Sequence, residues 1–139
     1  MSEITRIDVI AHQTIVPWPS RRQVEQDLLL CRAIAAIFGD AFLKGQVAMR
    51  GGTLLHKAHL APAARYSEDI DLVVFGDRPE GHINRAIRRV LEPELGAPVY
   101  SRWENLRLAV RHLAKPSRVL RLTYQVPAVS ENGPPLEIV

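Results

Sequence analysis

Period-two alternation over two neighbouring stretches leaves this chain few folds to choose from. Leu106, Leu108 and Val110 form the first stretch; after a Lys115-Pro116-Ser117 turn, Leu120, Leu122, Tyr124 and Val126 form the second. Alternate residues of a strand share a face, so the pattern predicts a β-hairpin with one apolar and one polar side. Such a sheet must bury its apolar side under another layer. The sequence supplies a cover. Val24, Leu28, Cys31, Ala35 and Phe38 recur every three or four residues and predict a helix from Val24 to Phe38. Ser20 is its expected N-cap, with Glu25 and Asp27 placing negative charge near the first turns. Arg22, Glu25 and Arg32 are expected to face water, and Gly39 to end the helix.

The remaining segments complete an α/β (α+β) reading. Residues 1–22 show no sustained periodicity and read as a lead-in to the helix. Gln46 to Met49 reads as a strand ending at Arg50, Thr53 to His59 as helix-compatible, and Ile70 to Phe75 as a strand closed by Gly76 and Asp77. Ile83 to Leu91 has helical spacing and is expected to finish at Pro93 and Gly96. Pro127 to Pro135 reads as a loop, and Leu136 to Val139 as the opening of a further strand. The expected architecture is a small mixed sheet with helices packed on one face.

Composition narrows the class. The 139 residues make about one domain, and 47% hydrophobic with 24% charged residues is the balance of a globular protein rather than a disordered one. The longest apolar stretch, Leu28 to Phe38, is interrupted by Arg32 and too short to span a bilayer. Glu3, Arg6 and Asp8 do not fit the layout of a secretory signal. The single cysteine, Cys31, reads as a buried thiol, and a reducing cytoplasm is the expected location. The formal charge of +3 only mildly favours an anionic partner.

The chemistry concentrates in Arg50-Gly-Gly-Thr-Leu-Leu-His-Lys57 and Arg65-Tyr-Ser-Glu-Asp-Ile-Asp-Leu72. Asp69 and Asp71, two apart on a strand, point to one face and can share a metal. Hard carboxylate oxygens in that arrangement suit Mg²⁺, or Mn²⁺, with substrate phosphates completing the shell. Gly51 and Gly52, between a strand and a helix, let the backbone approach a ligand closely and turn helix N-terminal amides toward phosphate. Thr53 adds a hydroxyl, and Lys57 follows one helical turn later. Each element alone has an ordinary structural reading, as a tight turn or a solvated pair of acids. Together, in this order, they point to phosphoryl or nucleotidyl transfer.

The order resembles the polymerase-β-like nucleotidyltransferase superfamily, and more narrowly the AbiEii/AbiGii family of nucleotidyltransferase toxins of abortive-infection and toxin–antitoxin systems. The matching positions are Gly51, Gly52, Thr53, Leu55, Lys57, Arg65, Tyr66, Ser67, Glu68, Asp69, Ile70, Asp71 and Leu72. A looser likeness runs from about residue 24 to 126, and the family often has Lys where Arg50 stands. The resemblance implies a polymerase-β-like core and metal-dependent transfer of NMP from an NTP to an acceptor hydroxyl, such as the 3′ end of tRNA or another RNA. It also implies a cognate antitoxin as partner. By the same resemblance Asp69, Asp71 and Lys57 are catalytic, and Gly51, Gly52, Thr53, Lys57, Arg65 and Arg121 hold the nucleotide. Ser67 and Glu68 read equally as residues that shape the loop before the strand.

Family members are usually about twice as long and carry a third acidic residue on a later strand. Residues 1–139 are therefore expected to be a nucleotidyltransferase domain forming the N-terminal part of a longer architecture, with Glu137 the candidate third ligand beside Asp69 and Asp71. Two readings compete with the enzyme: a catalytically inactive nucleotide- or RNA-binding module, that is a truncated pseudo-enzyme, and an antitoxin-type minimal nucleotidyltransferase. The latter usually shows Gly-Ser with a nearby Arg. Arg102, Arg107, Arg111, Lys115, Arg118 and Arg121 face only Glu104 in charge over the hairpin. That strip reads as an RNA-steering surface or as a solvated sheet face, with Arg121 the best candidate for a site cation. His56, His59, His82 and His112 show no metal-ligand spacing with cysteine, and Trp18 and Trp103 read as packing groups.

Overall fold

The computed structural model describes residues 4–50, 70–108, 117–129 and 133–138. The chain forms α1 (Arg6–Gln13), α2 (Arg21–Gly39), α3 (Ala41–Lys44), β1 (Val47–Arg50), β2 (Asp71–Val74), α4 (Glu80–Leu95), β3 (Tyr100–Leu108), β4 (Ser117–Val126) and β5 (Leu136–Ile138). Residues 51–69, including the helix-compatible segment Thr53 to His59, lie outside the described residues.

Strand order is β1-β2-β4-β3, with β5 pairing β4. Every described pairing is antiparallel, which corrects the expectation of a mixed sheet. The predicted hairpin is present and longer than the alternation alone indicates: β3 pairs β4 from Tyr100↔Gln125 to Leu108↔Ser117. Alternation sorts its two faces. Leu72, Leu122, Tyr124, Val126 and Leu136 are buried against Val24, Leu30, Ala33 and Ile37 of α2 and Ile83, Ile87 and Leu91 of α4. Asp71, Arg121, Thr123, Gln125 and Glu137 fall on the other, half-exposed side. Helices thus cover one face of the sheet, as expected, and leave a polar face open.

The helices depart from the sequence reading in several places. The lead-in contains α1, which buries only Val9 and so has no apolar stripe to reveal it. Thr5 and Asp8 form its capping box, each side chain serving the other's backbone. Ser20 caps α2 as expected, with Gln23 completing a second box. Glu25 does not face water: it is 2% exposed and accepts from the Val129 amide at 2.7 Å. Gly39 does not terminate α2 through left-handed backbone, which among the described residues occurs only at Gly96. Asp40 instead ends α2 and caps α3, its Oδ1 accepting from the Phe42 and Leu43 amides at 3.0 Å. These bonds, the Leu43 amide foremost, hold the Asp40 carboxyl below its usual range.

α4 runs through Pro93 to Leu95 because Leu91 and Leu95 are both buried, which outweighs the single hydrogen bond that proline removes near a helix end. Gly96 closes it with φ 87° and ψ 166°, a conformation only glycine adopts readily. Its carbonyl accepts from the Tyr124 hydroxyl at 2.6 Å, tying α4 to the centre of the sheet.

The segment before β5 is fastened by the start of α2. Arg22 donates to the Pro134 and Pro135 carbonyls at 2.8 Å, Glu25 takes the Val129 amide, and Gln26 donates to the Glu137 carbonyl. Side chains here replace the second strand neighbour that β5 lacks among the described residues. No helix among the described residues is long and apolar enough to cross a membrane.

Candidate functional site

Asp71 is the first residue of β2, between two buried neighbours. Ile70 and Leu72 are 3% and 2% exposed and point into the core, so strand periodicity turns Asp71 to the open face. Its side chain is 25% exposed. In register it stands opposite Arg50 on β1 and Arg121 on β4. A directly paired residue lies about 5 Å away, Cα to Cα. The sheet therefore sets one carboxylate position between two arginine positions.

The contact with Arg121 is loose. Its Nε and Nη2 both lie 3.5 Å from Asp71 Oδ1, longer than a well-made charge-assisted bond. Arg121 Nε is buried and makes no hydrogen bond among the described residues. An unmet buried donor is uncommon, and one held beside a carboxylate on an open face is placed to receive an anionic oxygen.

Gly51, Gly52, Thr53, Lys57, Arg65 and Asp69 lie outside the described residues. The strands still fix where their segment begins and ends: Gly51 follows Arg50, Asp69 stands two residues before Asp71, and Arg50 pairs Asp71. Arg50 and Asp71, on either side of that segment in the sequence, thus stand opposite each other, with Arg121 on the far side of Asp71.

Glu137 is placed differently from its expected role. β5 sets it opposite Gln125, four β4 residues from Arg121, the partner of Asp71. At about 3.3 Å per residue that is about 13 Å along the strand, too far for two carboxylates to close on one ion. Its Oε2 accepts from the Gln125 amide. Glu137 shares the polar face with Asp71 and is not its co-ligand in this arrangement. Of the basic strip, Arg102 is exposed on β3 and Arg121 sits beside Asp71; the side chains of Arg107, Arg111, Lys115 and Arg118 lie outside the described residues.

A second constellation escaped the sequence reading. His12 Nε2 lies 2.6 Å from Asp27 Oδ2, and Cys31 Sγ lies 3.8 Å from the same oxygen. Asp27 is fully buried, and the three ligand-type atoms all lie within 4.8 Å of one another. Fifteen residues separate His12 from Asp27, so no local spacing announces the group. The Thr5-x-x-Asp8 capping signature, which marks α1, was the available clue to His12 lying on a helix.

Compared with known proteins, residues 32–138 match the family model for the nucleotidyl transferase AbiEii toxin of type IV toxin–antitoxin systems. No curated protein and no solved structure matches the chain. The matched region runs from the middle of α2 to the end of β5, taking in Asp71, Arg121 and the whole sheet. This chain belongs to the AbiEii family of nucleotidyl transferase toxins of type IV toxin–antitoxin systems.

Proposed function

We propose that the chain transfers a nucleoside monophosphate from an NTP to an acceptor hydroxyl of RNA, with the 3′ end of tRNA as the first acceptor to test. The observation that carries this reading is the Asp71–Arg121 pair: a carboxylate on the open sheet face beside a buried guanidinium nitrogen that lacks a hydrogen-bond partner among the described residues. Arg121 offers that donor to a phosphate oxygen. Asp71 supplies a hard oxygen of the kind Mg²⁺ or Mn²⁺ prefers, and Asp69, two residues before it, would be the second ligand. The ion, when bound, would neutralise charge on the triphosphate and favour attack by the hydroxyl. Gly51, Gly52 and Thr53 would line the phosphates, with Lys57 and Arg65 adding positive charge. A cognate antitoxin is the expected partner and the cytoplasm the expected location.

The distance between Glu137 and Asp71 favours one competing reading, a module that binds nucleotide without transferring it. Labelled NTPs incubated with Mg²⁺, total tRNA and the protein distinguish the two. Label on tRNA that is lost in an Asp69→Ala, Asp71→Ala variant supports transfer. NTP binding without product supports the inactive module, and label that survives the double substitution overturns the assigned roles.

A further inference from the structure

The proposed reaction does not use the cluster where α1 meets α2. His12 sits in the last turn of α1, while Asp27 and Cys31 lie one turn apart on α2, so helical periodicity stacks the latter two on one face. Their donor atoms are one nitrogen, one oxygen and one sulfur. That set is borderline-soft and suits Zn²⁺ or Co²⁺, whereas Mg²⁺ and Ca²⁺ favour oxygen alone. All three residues precede residue 32, where the family match begins.

We propose that His12 Nε2, Asp27 Oδ2 and Cys31 Sγ bind one Zn²⁺-class ion that clips α1 to α2. Tetrahedral zinc with ordinary bond lengths separates its nitrogen and oxygen ligands by about 3.4 Å, and its sulfur and oxygen ligands by about 3.6 Å. The corresponding separations here are 2.6 Å and 3.8 Å. Replacing the His12–Asp27 hydrogen bond by a metal thus needs those two atoms to part by about 0.8 Å, and the third pair, His12 Nε2 and Cys31 Sγ, lies within 4.8 Å. The carboxylate is 0% exposed, where charge is stable only with a compensating partner, and a divalent cation is a strong one. The His12 side chain is 12% exposed, and a water would be the fourth ligand of a tetrahedral set. The gain is structural: α1 buries only Val9, so a cross-link to α2 would hold a helix that its own core contact holds weakly.

Cobalt reads the site directly, because a thiolate bound to Co²⁺ gives an intense near-ultraviolet charge-transfer band and the sequence has one cysteine. The full chain, stripped with chelator and kept in excess Mg²⁺ to occupy oxygen-only sites, is titrated with Co²⁺. The expected result is a band saturating at one Co²⁺ per chain, bleached by equimolar Zn²⁺ and lost in Cys31→Ser. Weaker binding is expected in His12→Gln, with the fold of both variants checked by circular dichroism. Absence of the band from the folded wild-type chain overturns the proposal without any variant. Saturation at one Co²⁺ per two chains, or unchanged affinity in folded His12→Gln, overturns it as well.

Discussion

α2 carries Glu25 and Asp27 in the interior and β2 carries Asp71 on the open face, and the elements that hold these acids give them opposite fates. On α2 a two-residue step turns about 200° around the axis, so Glu25 and Asp27 diverge. One accepts from the Val129 amide and the other meets His12, both in the interior. On a strand alternate residues share a face, and Asp71, between the buried Ile70 and Leu72, is left partly open beside Arg121. Secondary structure decides whether a carboxylate serves a buried partner or stays open to a ligand.

The largest effect expected from this contrast is on catalysis. Under the proposed role of Asp71 as a metal ligand, Asp71→Ala should lower nucleotidyl transfer by about 100-fold, while the melting temperature moves little. Labelled-NTP incorporation and a thermal melt on one preparation measure both; a large fall in stability with transfer retained would erase the distinction between the two elements. Glu25→Ala should do the reverse. It strands the Val129 amide and should cost about 2–3 kcal/mol, read as a lower urea midpoint. An unchanged midpoint would mean the α2 carboxylate is not structural.

Two smaller tests sharpen the frame that holds β2. At Gly76, just past β2, an added Cβ would lie 2.0 Å from Gln46 Oε1 and 3.1 Å from Gln46 Cα. Gly76→Ala should therefore cost about 1–2 kcal/mol. Combining it with Gln46→Ala should recover most of that in the same urea titration, and no recovery would place the strain elsewhere. Tyr124→Phe removes the bond to the Gly96 carbonyl and should cost about 1 kcal/mol. Burial, foremost, pushes the Tyr124 hydroxyl from 10.0 up to about 12, so the fold favours its neutral form. That contribution is complete below pH 10 and is lost as pH rises toward 12. The phenylalanine variant should lose less stability than wild type between pH 10 and 12, and parallel alkaline unfolding curves would contradict the assignment.

These contrasts also show what a sequence displays. Leu72, Leu122, Tyr124 and Val126 announce their strands because a one-sided sheet imposes period two on residue type. Asp71 and Arg121 are each visible as chemistry, yet their pairing depends on β2–β4 register across 50 residues, which no local pattern encodes. Glu25 reads as solvated because its residue type usually is; its amide partner lies 104 residues away. Glu137 shows an acid on an apolar strand without showing how far along β4 that strand docks. The family match spans residues 32–138, which include the glycine–aspartate motif as well as the described sheet.

The grip of Arg22, Glu25 and Gln26 on residues 129–137 has a kinetic consequence. These contacts span 104 to 113 residues and close a ring around nearly the whole sheet. Closing a flexible ring of that size costs about 4 kcal/mol of chain entropy, so the contacts become favourable only after the intervening strands have shortened it. By this argument the start of α2 meets β5 late in folding, after the strands between them have formed.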